Sequence, residues 1–386
     1  MPAPNTRDRK LHVAQISFFN DPDDRQPEQL LQDWPSLGDV ADCVHRAGLR
    51  VSVIQASRHS KQIIRHGVTY HFMPVAGRRS TDLDDPLGEL LRNLVPDVLH
   101  VHGLDFAREV ISLAAVAPDV PIVLQDHASR PPPPWRRSLW RRGCSLATGI
   151  AFCSPDQARP FARSALIPAA TKIYAIPESS SRFTPGEREK ARRRCNVAGD
   201  PLVLWVGHLN ANKDPLTVLE GISHAAKALP SLKMYCCYGS SPLLREVQHR
   251  IAADPNLRER VHLLGSVPHQ DLEYLMQAAD IFVLGSHREG SGYALIEAIA
   301  CGLPPVVTDI PSFRELTGSG RIGALWPTGN AGKLSECLQT MAAQCQIRLR
   351  TDVRSHFESE LSFDVVGRKL ALAYEDVLSE LHARLS

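Results

Sequence analysis

Short apolar runs alternate with longer segments of helical period along most of the chain, and that alternation predicts the architecture. In the first half the runs His12–Ser17, Val51–Gln55, Val68–Pro74, Val98–Val101, Ile122–Leu124, Ile150–Cys153 and Ile173–Ile176 are strand candidates, with helical patterns near 28–47, 82–94, 105–116 and 155–165. In the second half the strands are Leu202–Val206, Lys233–Cys237, Val261–Leu264, Ile281–Leu284, Pro305–Thr308 and Ile322–Leu325, and helices fill 213–229, 242–253, 270–278, 291–300 and 331–344. Strands that read as continuous apolar runs are buried on both faces, so each half predicts a parallel sheet covered by helices. At residues 176–189 serine, proline and glycine replace the apolar periodicity, which sets the expected domains at 1–180 and 181–360. The basic run that follows, REKARRRCN, predicts a solvated first helix of the second domain. A strongly periodic helix from about Phe363 occupies 361–386.

The stretch 285–316 carries the candidate chemistry. After the strand Ile281–Leu284, Glu289-Gly290-Ser291-Gly292 forms a turn; helical spacing then runs through Ala294, Leu295, Ala298 and Ile299 and stops at Cys301-Gly302. A helix N-terminus fed by a glycine turn at the end of a parallel strand offers unpaired N–H groups to an anion such as a phosphate. Glu289 and Glu297 have seven residues between them. They can face one ligand, or they can be two solvated acids on a surface helix.

Residues 289–309, EGSGYALIEAIACGLPPVVTD, resemble the signature of the retaining glycosyltransferases of family 4, whose fold (GT-B) sets two Rossmann-like, doubly wound domains across a cleft with the C-terminal helix crossing back to the first. The resemblance implies that Glu289 holds hydroxyls of a donor sugar and Glu297 the ribose of its nucleotide; a carboxylate accepts such hydroxyls with charge assistance. Gly290, Ser291 and Gly292 then face the diphosphate. The run LWVGHLNANKDPLTVLEGI resembles the family's pyrophosphate loop: Lys213 matches the lysine, while His208 stands where the family has arginine. YGSSPLL at 238–244 and the segment around Gly265 to Val267, implied to contact the base, extend the likeness over most of 200–318. In the first half DVLHVHGLDF and PIVLQDHAS resemble two strand ends of the family and place His102, Asp126 and His127 on the acceptor side of the cleft. His127 is implied to lie near the anomeric carbon. After the first strand Gly38 stands alone where many members have a glycine-rich turn, so the acceptor is not specified.

By that resemblance the chain is an enzyme moving a sugar from a nucleotide-diphosphate donor to a hydroxyl acceptor, a glycan, lipid or small molecule, with retention and by front-face attack. His127, Glu289 and Lys213 are its catalytic candidates. The alternative is a non-catalytic nucleotide-sugar-binding or scaffold protein on the same fold, which the histidine at position 208 keeps open. No Asp-x-Asp metal motif is read at the cleft, so no metal and no cofactor are expected. No Gly-x-Gly-x-x-Gly follows the first strand, which argues against a nicotinamide dehydrogenase.

Composition narrows the setting. A chain of 386 residues with 43% hydrophobic and 22% charged residues exceeds one ordinary core. A net charge of +2 gives no electrostatic reason for a nucleic-acid partner. The opening lacks a signal-peptide core or a membrane span, and the nine scattered cysteines read as reduced core residues, so a cytoplasmic place is expected. At 135–142, Trp135, Leu139 and Trp140 interleave with Arg136, Arg137, Arg141 and Arg142. Such a segment can rest on an anionic inner-membrane surface, or its apolar stripe can pack on the first domain while the arginines are solvated.

Overall fold

The computed structural model of the protein describes residues 9–75, 86–344 and 346–385. It divides into two units, residues 1–179 with 363–386, and residues 180–362. Strands β1 (His12–Ser17), β2 (Arg50–Ala56), β3 (Lys61–Arg65), β4 (Val68–Met73), β5 (Val98–His102), β6 (Ile122–Gln125), β7 (Ala147–Phe152) and β8 (Lys172–Ala175) form the unit 1 sheet in the order β3-β4-β2-β1-β5-β6-β7-β8. Every pairing is parallel except β3 with β4. Alternation along each strand divides the core. Val13, Val51, Val53, Val98 and Val123 pack on one face with Val40, Val44, Tyr374 and Val377. Ile16, Ile54, Leu99, Val101 and Leu124 pack on the other with Leu91, Val110, Trp140 and Phe161.

In unit 2, β9 (Leu202–Gly207), β10 (Lys233–Tyr238), β11 (Val261–Gly265), β12 (Ile281–Leu284), β13 (Pro305–Thr308) and β14 (Ala324–Trp326) form an all-parallel sheet in the order β11-β10-β9-β12-β13-β14. Both sheets are doubly wound, as the apolar runs predict. The terminal helix, Phe363–Leu385, belongs to unit 1, where Tyr374 and Val377 complete the first core.

The structure departs from the sequence reading at several points. β3 was not expected: its KQIIR is half exposed and lies antiparallel at the sheet edge, where a strand carries no continuous apolar run. The helical pattern at 28–47 is two helices, Pro27–Asp33 and Pro35–Arg46, because Pro35 has no N–H to continue the first. The helix expected at 82–94 is described from Pro86 to Leu94, and residues 82–85 lie outside the described residues. The last strand is Ala324–Trp326 rather than Ile322–Leu325, and a helix at Gln346–His356 was not anticipated. The basic helix Arg188–Cys195 is not simply solvated. Arg188 and Arg192 donate to the buried Asp280 carboxylate at 2.7 and 2.6 Å, and Asp280 also accepts from the Leu202 N–H at 2.8 Å. The serine-rich stretch at 176–189 is firmly bonded, with Ser179 and Ser180 buried and the Ser180 hydroxyl donating to the Leu361 carbonyl.

The arginine–tryptophan segment divides its roles. Pro134–Arg136 is a single 3-10 turn leading into the helix Arg137–Ser145. Trp140 is buried, stacked on Phe161 at 6.3 Å, and Leu139 packs against the same core. Trp135 stays 79% exposed beside Arg136. Six of the eight described cysteines are buried, and burial pushes the Cys237 thiol up to about 12 and Cys144 to about 11, which leaves them unreactive.

Candidate active site

In unit 2 the chain leaves β9 toward β10 on one side and returns to β12 on the other, so the carboxyl ends of β9 and β12 flank a topological switch point. Two loops meet there, 208–214 after β9 and 285–292 after β12. They are sewn together by backbone and side chain: the His287 N–H donates to the Asn212 carbonyl at 2.8 Å, the Asn212 amide to the Arg288 carbonyl at 2.9 Å, and His287 Nε2 lies 3.0 Å from Asp214 Oδ2. Gly285 makes the approach possible. A Cβ at that position would stand 2.8 Å from Val218 Cγ2 and 3.2 Å from the Lys213 and Asp214 carbonyls.

Across this seam Lys213 Nζ pairs with Glu289 Oε1, which also accepts from the Ser286 hydroxyl at 2.6 Å. Lysine and glutamate are 76 residues apart in sequence and both mostly buried, with side chains 17% and 12% exposed. The Ser286 carbonyl in turn accepts from Thr308 Oγ1 at 2.6 Å, which anchors the turn to β13. Gly292, the N-cap of helix Tyr293–Ala300, takes φ +62, a left-handed conformation that glycine adopts without steric cost. Gly290 and Ser291 are buried just before it. The arrangement gives a helix N-terminus, an ammonium and a carboxylate at one switch point, a chemistry suited to an anionic ligand carrying hydroxyls.

His208 lies at the edge of the same place. The Ser240 N–H donates to its Nδ1 at 3.2 Å, so in the neutral ring the proton is on Nε2. With Nδ1 engaged as an acceptor, the neutral ring has one N–H left as a donor, where arginine presents a fork of them. Glu297, in the second turn of the helix, meets His269 Nε2 at 2.7 Å, and this hydrogen bond raises the imidazole above its ordinary value. Gly265 ends β11 at φ +72, with Val267 two residues on, half exposed.

In unit 1 the equivalent switch point lies between β1 and β5, where Ser17 and His102 are register partners. His102 ends β5 and His127 follows β6 by two residues; their rings are joined Nδ1 to Nε2 at 3.2 Å. Asp126 is buried, its Oδ1 accepting from the Ser129 N–H at 2.9 Å, so the carboxylate closes its own turn. Glu178, which no sequence motif marks, sets its carboxylate against His127 Nδ1. One Asp-x-Asp pattern does occur here, Asp21-Pro22-Asp23 in the loop after β1, a correction to the sequence reading. Arg25 occupies it, with Nη2 at 2.8 Å from Asp21 and 3.1 Å from Asp23, and pulls Asp21 down to about 2.

Two doubly wound units with these loops define a GT-B fold, and solved structures share it. The chain superposes on the HepE protein of Anabaena in complex with UDP with a TM-score of 0.70 at 17% identity, covering 95% of this chain and 100% of that one. Against sucrose-phosphate synthase from Thermosynechococcus elongatus the TM-score is 0.68 at 17% identity, over 96% and 100%. The family models "Glycosyl transferases group 1" and "Glycosyltransferase Family 4" match residues 187–351 and 36–178. The chain belongs to this group 1 type of GT-B glycosyltransferases. Among characterised relatives, it is 25% identical over 256 residues to the GDP-mannose:cellobiosyl-diphosphopolyprenol alpha-mannosyltransferase of Xanthomonas campestris, a match spanning 64% of this chain and 65% of that protein. It is 28% identical over 210 residues to the D-inositol 3-phosphate glycosyltransferase of Geodermatophilus obscurus, spanning 52% and 46%. The matched stretches thus cover from about half to just under two thirds of these relatives' own lengths.

Proposed function

We propose that the protein transfers a sugar from a nucleotide-diphosphate donor to an acceptor hydroxyl, with retention of anomeric configuration and without a metal ion. The Lys213–Glu289 pair at the unit 2 switch point carries this reading, because it sets a cation for the diphosphate beside a carboxylate for sugar hydroxyls. In this reading Lys213, the helix terminus at 290–292 and His208 Nε2–H stabilise the departing diphosphate. Glu297 holds the ribose. The leaving phosphate takes the acceptor hydroxyl's proton, and His102, Asp126 and His127 of unit 1 are the acceptor-side candidates. Relatives named for a GDP-mannose donor and a diphosphopolyprenol-linked acceptor support a donor and acceptor of this kind.

The test is incubation with a panel of nucleotide sugars, with and without EDTA, and the product's anomeric coupling read by NMR. An inverted product overturns retention, and complete loss of transfer in EDTA overturns metal independence. His208 in the arginine position favours a second reading, a nucleotide-sugar-binding protein without turnover. Donor binding with neither transfer nor donor hydrolysis establishes that one.

Among the described residues no helix is long and apolar enough to cross a membrane. The exposed Trp135, with Arg136, Arg141 and Arg142 exposed around it, suits peripheral contact with an anionic lipid surface. Changing Arg136, Arg137, Arg141 and Arg142 to Gln is expected to abolish sedimentation with anionic vesicles while nucleoside-diphosphate binding persists. Failure of the unaltered protein to sediment ends that reading.

A further inference from the structure

The sheet order of unit 1 sets the starts of β2, β1 and β5 side by side at its amino edge, opposite the edge where His102 ends β5. Arg50 opens β2 as the register partner of His12, Arg9 and Lys10 lead into β1, and Asp97 precedes β5. Arg9, Lys10 and Arg50 line one open cavity of about 590 Å³, with Leu94 and the exposed Val95 in its apolar wall. That volume falls within the roughly 300–1,000 Å³ of small-molecule sites. The length of β1 puts it roughly 17 Å from the carboxyl edge, at about 3.3 Å per residue. Val95 takes φ +48, which a branched side chain seldom adopts, and Arg9 Nη2 fixes that wall by donating to the Val95 carbonyl at 3.2 Å.

Asp97 is the one acid paired with these cations among the described residues, and both its oxygens are engaged: Oδ1 accepts from Arg9 Nη2 at 3.1 Å and Oδ2 from the His12 N–H at 2.7 Å. Lys10 and Arg50 are exposed and make no ion pair or side-chain hydrogen bond among the described residues. Three cations against one carboxylate leave an excess of two positive charges in a small space, although the whole chain carries only +2. The last turns of helices Pro35–Arg46 and Pro86–Leu94 also border the cavity, and each helix end carries roughly half a negative charge, less than that excess. The Leu94 carbonyl is already bonded, to His12 Nδ1 at 3.0 Å. The field reaches the His12 imidazole, held below its ordinary value by burial first and by Arg50 next. We propose that this cavity is a second anion site, which takes a phosphate monoester carried by a soluble metabolite or by a lipid headgroup. Such a group bears close to two negative charges near neutral pH, and the arginine forks match its oxygens while Lys10 adds a point charge. The site lies wholly in unit 1 and does not rest on the function proposed above.

The experiment labels the lysines of the full chain with a trace of acetic anhydride and reads the rate at each by mass spectrometry. The probes are glycerol 3-phosphate and phosphatidylcholine vesicles with and without phosphatidic acid, which present the same phosphate monoester free and in a lipid; sodium chloride at matched ionic strength is the baseline. Labelling of Lys10 is expected to slow severalfold, while the exposed Lys190 keeps its rate. The probe that protects at the lower phosphate concentration names the source. Arg50→Gln, an exposed change that should leave the melting temperature unaltered, is expected to raise the half-protecting concentration about ten- to a hundredfold, and Arg50→Lys, which keeps the charge without the fork, to recover part of that loss. A Lys10 rate unchanged by both probes overturns the site, and so does protection that survives Arg50→Gln or that sodium chloride reproduces. The proposed function is read at another lysine, Lys213, by its protection with a nucleoside diphosphate, so the two can fail separately.

Discussion

Lys213→Ala is expected to lower turnover with the intact donor by two to three orders of magnitude, about 2.7–4 kcal/mol of transition-state stabilisation, the scale seen when one preorganised donor to a developing anion is removed. The structure adds a sharper expectation. Glu289 rests against the lysine ammonium, so the alanine variant leaves a carboxylate beside the place where the diphosphate's negative charge must sit. Lys213→Ala should therefore weaken nucleoside-diphosphate binding by more than the lost contact alone, and Lys213→Ala with Glu289→Gln should recover part of that affinity while turnover stays low. On the proposed function Glu289→Gln alone is expected to lower kcat and leave diphosphate affinity nearly unchanged, as an interaction realised mainly as the glycosidic bond breaks would. Glu297→Gln, which the same proposal sets at the ribose, is expected to weaken binding of the diphosphate itself by about ten- to a hundredfold. Calorimetry with the free diphosphate beside initial rates with the donor separates these outcomes. If the double variant bound diphosphate more weakly than Lys213→Ala, the charge argument fails.

Acidification should destabilise unit 1 steeply. His100 is fully buried and lowered to about 3, by desolvation first and then by His127; burial holds His102 well below the ordinary value of 6.5. In the unfolded chain both imidazoles bind protons near 6.5, and in the folded chain they do not. Their contribution is therefore fully present above that pH and is lost as pH falls through it toward the folded values. Each such group costs about 1.4 kcal/mol per pH unit once well below 6.5, and two cost about 2.7. Against a typical stability of about 5–15 kcal/mol, two to three pH units of acidification consume much of the fold. Urea unfolding between pH 7.5 and 4.5, read by hydrogen exchange in unit 1, should show that slope. His100→Gln, which can still accept from Tyr374, should flatten it by that residue's own share, about 1.4 kcal/mol per pH unit. A stability curve level between pH 7 and 5 would rule the account out.

Most of the framework is legible in the sequence because parallel strands announce themselves as unbroken apolar runs. β3 does not, since the edge strand Lys61–Arg65 fully buries none of its residues and so needs no apolar run. A signal existed in His66-Gly67, two residues at φ +50 and +82 between β3 and β4, the two-residue hairpin turn that favours positive φ. Within the site, Glu289, Glu297 and Lys213 are found by motif because their spacing to glycine turns is local. Their partnerships are not local. Lys213 with Glu289, His269 with Glu297 and Glu178 with His127 join residues 76, 28 and 51 positions apart, and only the sheet order brings such positions together.

Unit 1 is built from two stretches of chain separated by the whole of unit 2. During synthesis, residues 180–362 are complete before Tyr374 and Val377 exist to cover Val13, Val98 and Val123. The unit begun before the other is therefore finished after it, and until then part of one face of its sheet, beside the helix Pro35–Arg46, waits uncovered, so a nascent chain stalled near residue 362 should be the species that chaperones hold most tightly.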